Sequence, residues 1–431
     1  MLRTIGSELD VDAQLGKRQI RKTSQNKRRT QQKSAVTMPP RAALSLVGLL
    51  LLTLASSEPA DPSLDDLTNR NADLGARLYR AVCSRTDDNV FLSTFTLSGA
   101  LLALLSAARG ATRDQLLQGL SLTGLDPETL PDLFQTLSAG VQQGSAAMTL
   151  KQGVAMFPAQ SVQVSLSYLD LLKMKFGGSI KNLAYAAPPE AADTINLWSQ
   201  EVTGDQVQEL VPDPEPQTQL LLATAAAYNV RFSPSFNASL TLDERFYVGK
   251  YHVVMVPMMF RADKYFLAYD RSLKAGVLKL PMAGGAAMLV VLPDEDVDVI
   301  AVEEEVTGEK IQAWIRQLKK TKLEVQLPRF LLERSYSLRD VLQTLDITQV
   351  FQDDADLSNM AGAGGLKLNQ VHHKSQVSVA ENDDITAGGD AGVFSTLPPR
   401  LTVNRPFLFI IYEVASRVVL AMGRVIDPSS K

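Results

Sequence analysis

The chain is 431 residues long, with 45% hydrophobic and 21% charged residues, enough apolar material for a sizeable core. Its formal net charge of −4 excludes wholesale nucleic-acid binding. One cysteine, Cys83, excludes an intramolecular disulfide. Three histidines with no HExxH or CxxC pattern speak against a metal enzyme, so no metal or other cofactor is expected.

Residues Met1–Thr37 are basic, rich in Gln, Lys, Arg and Ser, and too poor in apolar residues to bury a core, which predicts disorder. Such an arm could contact nucleic acid, but the next segment favours an extension upstream of the true start. From Met38 the chain carries Arg41, an apolar run Ala42–Leu54 and the small residues Ala55-Ser56-Ser57. These are the three parts of a signal peptide, and the run is short for a membrane span. The expected organisation is a basic extension over 1–37, a signal peptide over 38–57 and a single domain over 58–431, with secretion and a mature start near Glu58. Translation from Met1 would instead leave the signal internal.

Leu74, Leu78 and Val82 recur at helical spacing, with Asn71 or Asp73 placed to cap the start. Cys83 reads as a small buried residue rather than a catalytic thiol. Asn89–Phe95 reads as a short strand and turn, Leu97–Ala107 as an apolar helix, and Gly110-Ala111-Thr112 as a break before a helix from Arg113. Leu125–Gln143 carries Asp126, Glu128 and Asp132 and no basic stripe. Val154–Phe157 reads as a strand, and Leu220–Phe232 as a central buried strand followed by a turn. Asn237-Ala238-Ser239 is a glycosylation sequon, which secretion would expose to glycan transfer. Val256–Met259, Val277–Pro281 and Ala287–Pro293 are further apolar strands. Glu309–Lys322 reads as an amphipathic helix with Ile311, Trp314, Ile315 and Leu318 inward. Arg316, Lys319, Lys320 and Lys322 gather at its end, where cations favour the helix dipole.

The stretch Glu381–Phe407 changes character midway. Its first part, with Asp383, Asp384, Thr386, Ala387, Gly388 and Gly389, is small and polar and predicts a long exposed loop. Leu401-Thr402-Val403, Phe407–Tyr412 and Arg417–Val425 then read as buried strands. A loop held on a rigid scaffold in this way is a functional candidate.

The residues Asn404–Phe409, Gly423-Arg424-Val425 and Asp427-Pro428 resemble the C-terminal pattern of the serpin family. Val277–Pro281, Ala287–Pro293, Leu327–Phe330, Asp356-Leu357-Ser358, His373-Lys374 and Ile195–Trp198 with Thr203-Gly204 match it in order, so the resemblance spans Leu67–Pro428. It implies an α+β serpin fold: a large central β-sheet with two further sheets, about nine helices and an exposed reactive-centre loop. It also implies a secreted monomer that is not an enzyme, binds neither nucleic acid nor membrane and, if inhibitory, meets an extracellular serine protease of chymotrypsin-like or coagulation type; the alternative is a non-inhibitory carrier, binding protein or peptide-hormone precursor. Some serpins bind heparin on the helix that carries Arg316, Lys319, Lys320 and Lys322, which makes that cluster a candidate glycosaminoglycan site. The chain departs from the family at Thr94, where proline is usual, at Asp205, and at Thr224 and Phe232, which replace an Asn and a Trp at the top of the central sheet.

By the same resemblance the loop is bait. A protease attacks one bond of it, forms an acyl-enzyme, and is trapped when the cut loop inserts into the main sheet as a new strand. The hinge runs from Glu381, with Asp383 at the family's glycine, Asp384 at its threonine, and Thr386 and Ala387 suitably small. A charge there resists burial, which costs several kcal/mol for an unpaired ion. The loop is also slightly short, and these departures together predict impaired insertion. Anchoring on Pro398-Pro399 places the reactive bond at Ser395-Thr396. One extra residue after the cut gives Phe394-Ser395, preferred because an aromatic fills a protease pocket.

Overall fold

Leu67, Asn71, Leu74, Leu78 and Val82 are all buried along one side of a 22-residue helix, as their spacing requires. The computed structural model that shows this describes residues 62–362, 365–381 and 398–430, so the basic extension and signal segment lie outside the described residues. From Ser63 onward the chain forms one unit.

In chain order the elements begin with α1 (Pro62–Cys83), β1 (Val90–Leu92), α2 (Thr94–Ala107), α3 (Gly110–Gly119) and α4 (Leu130–Met148). Then come β2 (Leu150–Pro158), α5 (Leu166–Phe176), β3 (Ser179–Ile180), α6 (Pro188–Thr203) and β4 (Leu220–Val230). Next are β5 (Leu242–Gly249), β6 (His252–Asp270), β7 (Ala275–Pro281), β8 (Ala286–Pro293), α7 (Val299–Glu304) and α8 (Gly308–Gln317). The chain continues with β9 (Lys319–Pro328), β10 (Phe330–Ser337), α9 (Arg339–Gln343), α10 (Ser358–Ala361) and β11 (Gln370–Val379). It ends with β12 (Arg400–Thr402), β13 (Phe407–Glu413) and β14 (Val419–Val425).

The main sheet has five strands in the order β10-β11-β4-β2-β3. β4 reads LLLATAAAYNV and is buried over all but Asn229, the continuous apolar run of a strand covered on both faces. One cover is α2, apolar all round and buried at nearly every position. The other is α6, whose Ala191 and Ile195 join Phe157, Tyr185, Leu221 and Ala223 in one cluster. The two further sheets expected from the sequence are the two halves of a second hydrogen-bonded set. Its path is β1-β14-β13-β8-β7-β6-β9-β12, with β5 beside β6. The 19-residue β6 serves both halves: its first part pairs with β5 and β9, its last with β7.

Asn71 and Asp73 do not cap α1, because the helix begins at Pro62. Proline suits a first helical position, and buried Leu67 and Thr68 extend the apolar stripe toward it. Asn71, now mid-helix, donates from Nδ2 to the Val419 carbonyl at 3.0 Å and ties α1 to β14. Gly423 in β14 has a steric reason: a Cβ there would lie 2.5 Å from the Phe409 ring and 2.6 Å from the Val90 carbonyl. Beside it, Arg424 forms a buried ion pair with Glu303 of α7 at 2.6 Å, the two side chains being 2% and 4% exposed. Tyr79 of α1 donates to the same carboxylate. Arg424 also donates to the carbonyls of Asp88, at 2.9 Å, and Thr86.

Candidate functional site

The candidate loop is rooted at two places. β11 runs out at Val379, and Glu381 follows it; the chain is described again at Pro398, and β12 pairs parallel with β9 from Arg400. Asp383, Asp384, Thr386 and Ala387 of the hinge, and the reactive-bond residues Phe394 and Ser395, lie outside the described residues. Glu381 alone of the expected site at this loop is described.

Glu381 is clamped. Arg329, between β9 and β10, donates from Nε to Oε2 at 2.9 Å and from Nη2 to Oε1 at 2.8 Å, and the Thr241 hydroxyl donates to Oε1. The Glu381 side chain is only 5% exposed. Burial alone would raise its carboxyl, but the hydrogen bonds from Arg329 and Thr241 outweigh it and hold the group below the usual carboxylate range. A bidentate guanidinium–carboxylate pair fixes geometry as well as charge, so the chain leaves the main sheet from a fixed point.

Beyond that point lies the pair an inserted strand would have to separate. β11 and β4 are direct parallel neighbours, in register from Gln370↔Leu221 to Val379↔Val230. Between them sits a polar cluster. The Ser93 backbone N–H donates to His373 Nε2 at 3.1 Å, which leaves Nδ1 to carry the proton and donate to Thr224 Oγ1 at 2.8 Å. Ser93 Oγ lies 2.6 Å from Thr96 Oγ1 and 2.8 Å from the Tyr228 hydroxyl. Ser375 Oγ donates to the Phe91 carbonyl at 2.9 Å. Thr224 therefore stands in the middle of the sheet and not at its top. Eight positions along a strand, roughly 26 Å at the usual rise, separate it from Phe232, which packs edge-on against Phe236 beyond the end of β4.

Burial lowers the His373 pKa to about 3 and the His372 pKa to about 4. The unfolded value is about 6.5, so below it the unfolded chain binds more protons than the folded one. This stability is complete above about pH 6.5 and is lost as pH falls toward 4 and 3. The melting temperature is expected to drop as pH falls from about 6.5 to about 4.5, and His373→Gln should flatten the drop in a fluorescence melting series. An unchanged slope in that variant would place the acid sensitivity elsewhere.

The basic cluster is rearranged relative to its expected helix. α8 stops at Gln317 because Leu318 is extended (φ −56, ψ 128), and only Arg316 sits in its last turn. Lys319, Lys320 and Lys322 belong to β9, where Leu323, Val325 and Leu327 alternate inward and impose strand periodicity. Ile311 and Trp314 are buried as expected, Ile315 and Leu318 half-buried. Lys320 faces Phe266 and Lys322 faces Lys264 across the β6 pairing, while Lys319 points to the opposite face. All four cations are exposed. Asn237 is exposed too, with Oδ1 accepting from the backbone N–H and hydroxyl of Ser239 at 2.9 and 2.8 Å. His373, Arg329 and Ser93 are the site residues that sequence reasoning missed; the signal was a histidine within an alternating buried strand.

Residues 69–428 match the family model described as "Serpin (serine protease inhibitor)". The mouse (Mus musculus) protein Z-dependent protease inhibitor is 31% identical over 369 residues, covering 84% of this chain and 82% of that protein. Its solved structure superposes with a TM-score of 0.79 at 30% identity, covering 85% of this chain and all of the other. Thyroxine-binding globulin of Sus scrofa is 27% identical over 387 residues, covering 88% of this chain and 93% of that protein.

Proposed function

The chain belongs to the serpin family, whose members are inhibitors or binding proteins and not enzymes. On that premise we propose that it is secreted and offers the segment 382–397 to an extracellular serine protease, with Phe394-Ser395 as the bond attacked. Trapping is weakened or lost at the hinge. The observation that carries this reading is the β11–β4 pairing: ten parallel partners hold the two strands together, so insertion must part them and bury what enters. The first residues to enter after Glu381 include two adjacent aspartates. The alternative role is that of a non-inhibitory carrier, binding protein or peptide-hormone precursor, and the same hinge favours it.

The test is incubation with a chymotrypsin-like protease followed by denaturing electrophoresis and a melting curve. The expected result is a cut chain, no covalent band and little thermal gain. An SDS-stable complex would establish the inhibitor and overturn the reading.

Secretion predicts a mature chain starting near Glu58 with glycan on Asn237, whose exposed amide leaves room for it. Mass spectrometry of secreted material checks both, and a secreted chain that keeps residues 1–37 would sink the idea. Arg316, Lys319, Lys320 and Lys322 are proposed as a polyanion site for a glycosaminoglycan. What supports it is the exposure of all four cations, with exposed Lys264 directly opposite Lys322 in the β6 pairing. Heparin-column retention should fall with salt and fall again in the quadruple alanine variant. Equal retention would return the cluster to a solvated face.

A further inference from the structure

Asn237 stands on a turn that the fold holds firmly from both sides. Phe236 before it is 2% exposed and packs edge-on against Phe232, and the Ser235 carbonyl accepts from Arg261 Nη1 at 2.7 Å. After it comes a single 3-10 turn, Ala238–Leu240, closed by the Leu240 N–H donating to the Asn237 carbonyl at 2.9 Å. Thr241, the next residue, is pinned by its bond to Glu381. Asn237 Oδ1 is engaged by the backbone N–H and hydroxyl of Ser239, which turns Nδ2, the atom that carries an N-linked sugar, to the other side of the amide.

This turn leads into uncovered apolar surface at a sheet edge. Leu240 is 48% exposed and Leu242 is 65% exposed. Among the described residues β5 pairs with β6 alone, so its other side is an open edge. Leu242 shares a face of that hairpin with Phe246, Val256 and Met258, which are at most 1% exposed, so it is the outer end of a buried apolar row. The far end of the edge is tied down, the Tyr247 N–H donating to the Asn404 carbonyl at 2.8 Å. The near end, at Leu242, has no strap of that kind among the described residues. An apolar edge left open in this way is a template for pairing with another chain. Leu240 lies one turn from Asn237, and Leu242 two residues beyond it. We propose that a glycan on Asn237 is the guard of this edge: its first sugars lie over Leu240 and Leu242, whose side chains meet the apolar C–H faces of the pyranose rings, and it prevents self-association through β5. The inference rests on the reading that the chain is secreted and glycosylated.

The experiment uses the full secreted chain in two sugar-free forms. One is made by a peptide N-glycosidase acting on the folded protein, so that folding in the cell is undisturbed; the other is Asn237→Gln. Intact mass first establishes the glycan. Light scattering over a concentration series should keep the glycosylated chain at monomer mass and raise both sugar-free forms to roughly twice that mass or more. Leu240→Ser with Leu242→Lys, added to Asn237→Gln, should return the monomer, because a lysine on an edge strand opposes pairing. The same two changes in the glycosylated chain should leave its mass as it was. Equal mass of sugar-free and glycosylated chains overturns the proposal, and so does association that survives the two leucine changes. A secreted chain with no sugar on Asn237 overturns it together with the glycosylation reading, and the intact mass tells that failure from the other two. None of these outcomes depends on whether the protein traps a protease.

Discussion

Replacing Asp383 by glycine and Asp384 by threonine is expected to give a chain that, once cut near Phe394-Ser395, melts at a clearly higher temperature than the cut native sequence. The reason is strand geometry. Successive side chains of a strand point to opposite faces, so of two adjacent aspartates one must face the core in any register. The sheet they would enter is buried on alternate positions of β11, with Val377 and Val379 inward, and on nearly all of β4. A carboxylate among such neighbours either stays charged without a partner or takes up a proton, and both cost free energy. Asp384, which stands at the family's threonine, is the more damaging of the two, so Asp384→Thr alone should recover most of the gain. The loop length inferred from the sequence is a second expected limit on trapping, so the repaired chain is expected to gain heat stability on cleavage before it gains a covalent complex. Equal melting of cut native and cut repaired chains would remove the hinge from the explanation.

The second large effect is expected at the ion pair between Arg424 and Glu303. Arg424→Met leaves the Glu303 carboxylate buried with only the neutral side chains of Tyr79 and Cys83 as hydrogen-bond partners, and should cost ~3–5 kcal/mol, the usual penalty for orphaning a buried charge. Glu303→Leu orphans the guanidinium and should cost a similar amount. The double variant should recover much of either loss, because an apolar pair of similar volume is often no less stable than the ion pair it replaces. Urea unfolding of the three variants checks this. Additive losses in the double variant would mean that Arg424 acts chiefly through the carbonyls of Thr86 and Asp88 and not through Glu303.

The sequence made the scaffold readable wherever one signal dominated. β8 and most of β13 and β4 are near-continuous apolar runs, the pattern of strands covered on both faces. Where two periodicities met, the reading slipped. Leu318 fits the stripe of α8 and also precedes the alternation Leu323, Val325, Leu327, so three lysines of β9 were placed on a helix. Thr224 was aligned with the top of the sheet because its partner, His373, is brought beside it by a parallel pairing 149 positions away in the chain. The clamp on Glu381 was invisible for the same reason: Arg329 is 52 positions distant, and nothing in local spacing joins them. Patterns along a chain report which face is buried. They do not report which polar groups meet there.

The pairing of β1 with β14 bears on how such a chain is made. Val90 meets Arg424 in the sheet, and Arg424 reaches the Asp88 carbonyl across 336 positions. At the usual pace of synthesis, about 5–20 residues per second, β1 waits on the order of tens of seconds for its partner. During that time Val90, Phe91 and Leu92, fully buried in the finished protein, have no β14 to cover them. Closure by such a distant contact is slow as well, because loop entropy is lost before any pairing returns it. Nascent chains of this protein should therefore depend on folding assistance until the last strand emerges, and a stop codon just before Val419 should yield a product that aggregates or is degraded.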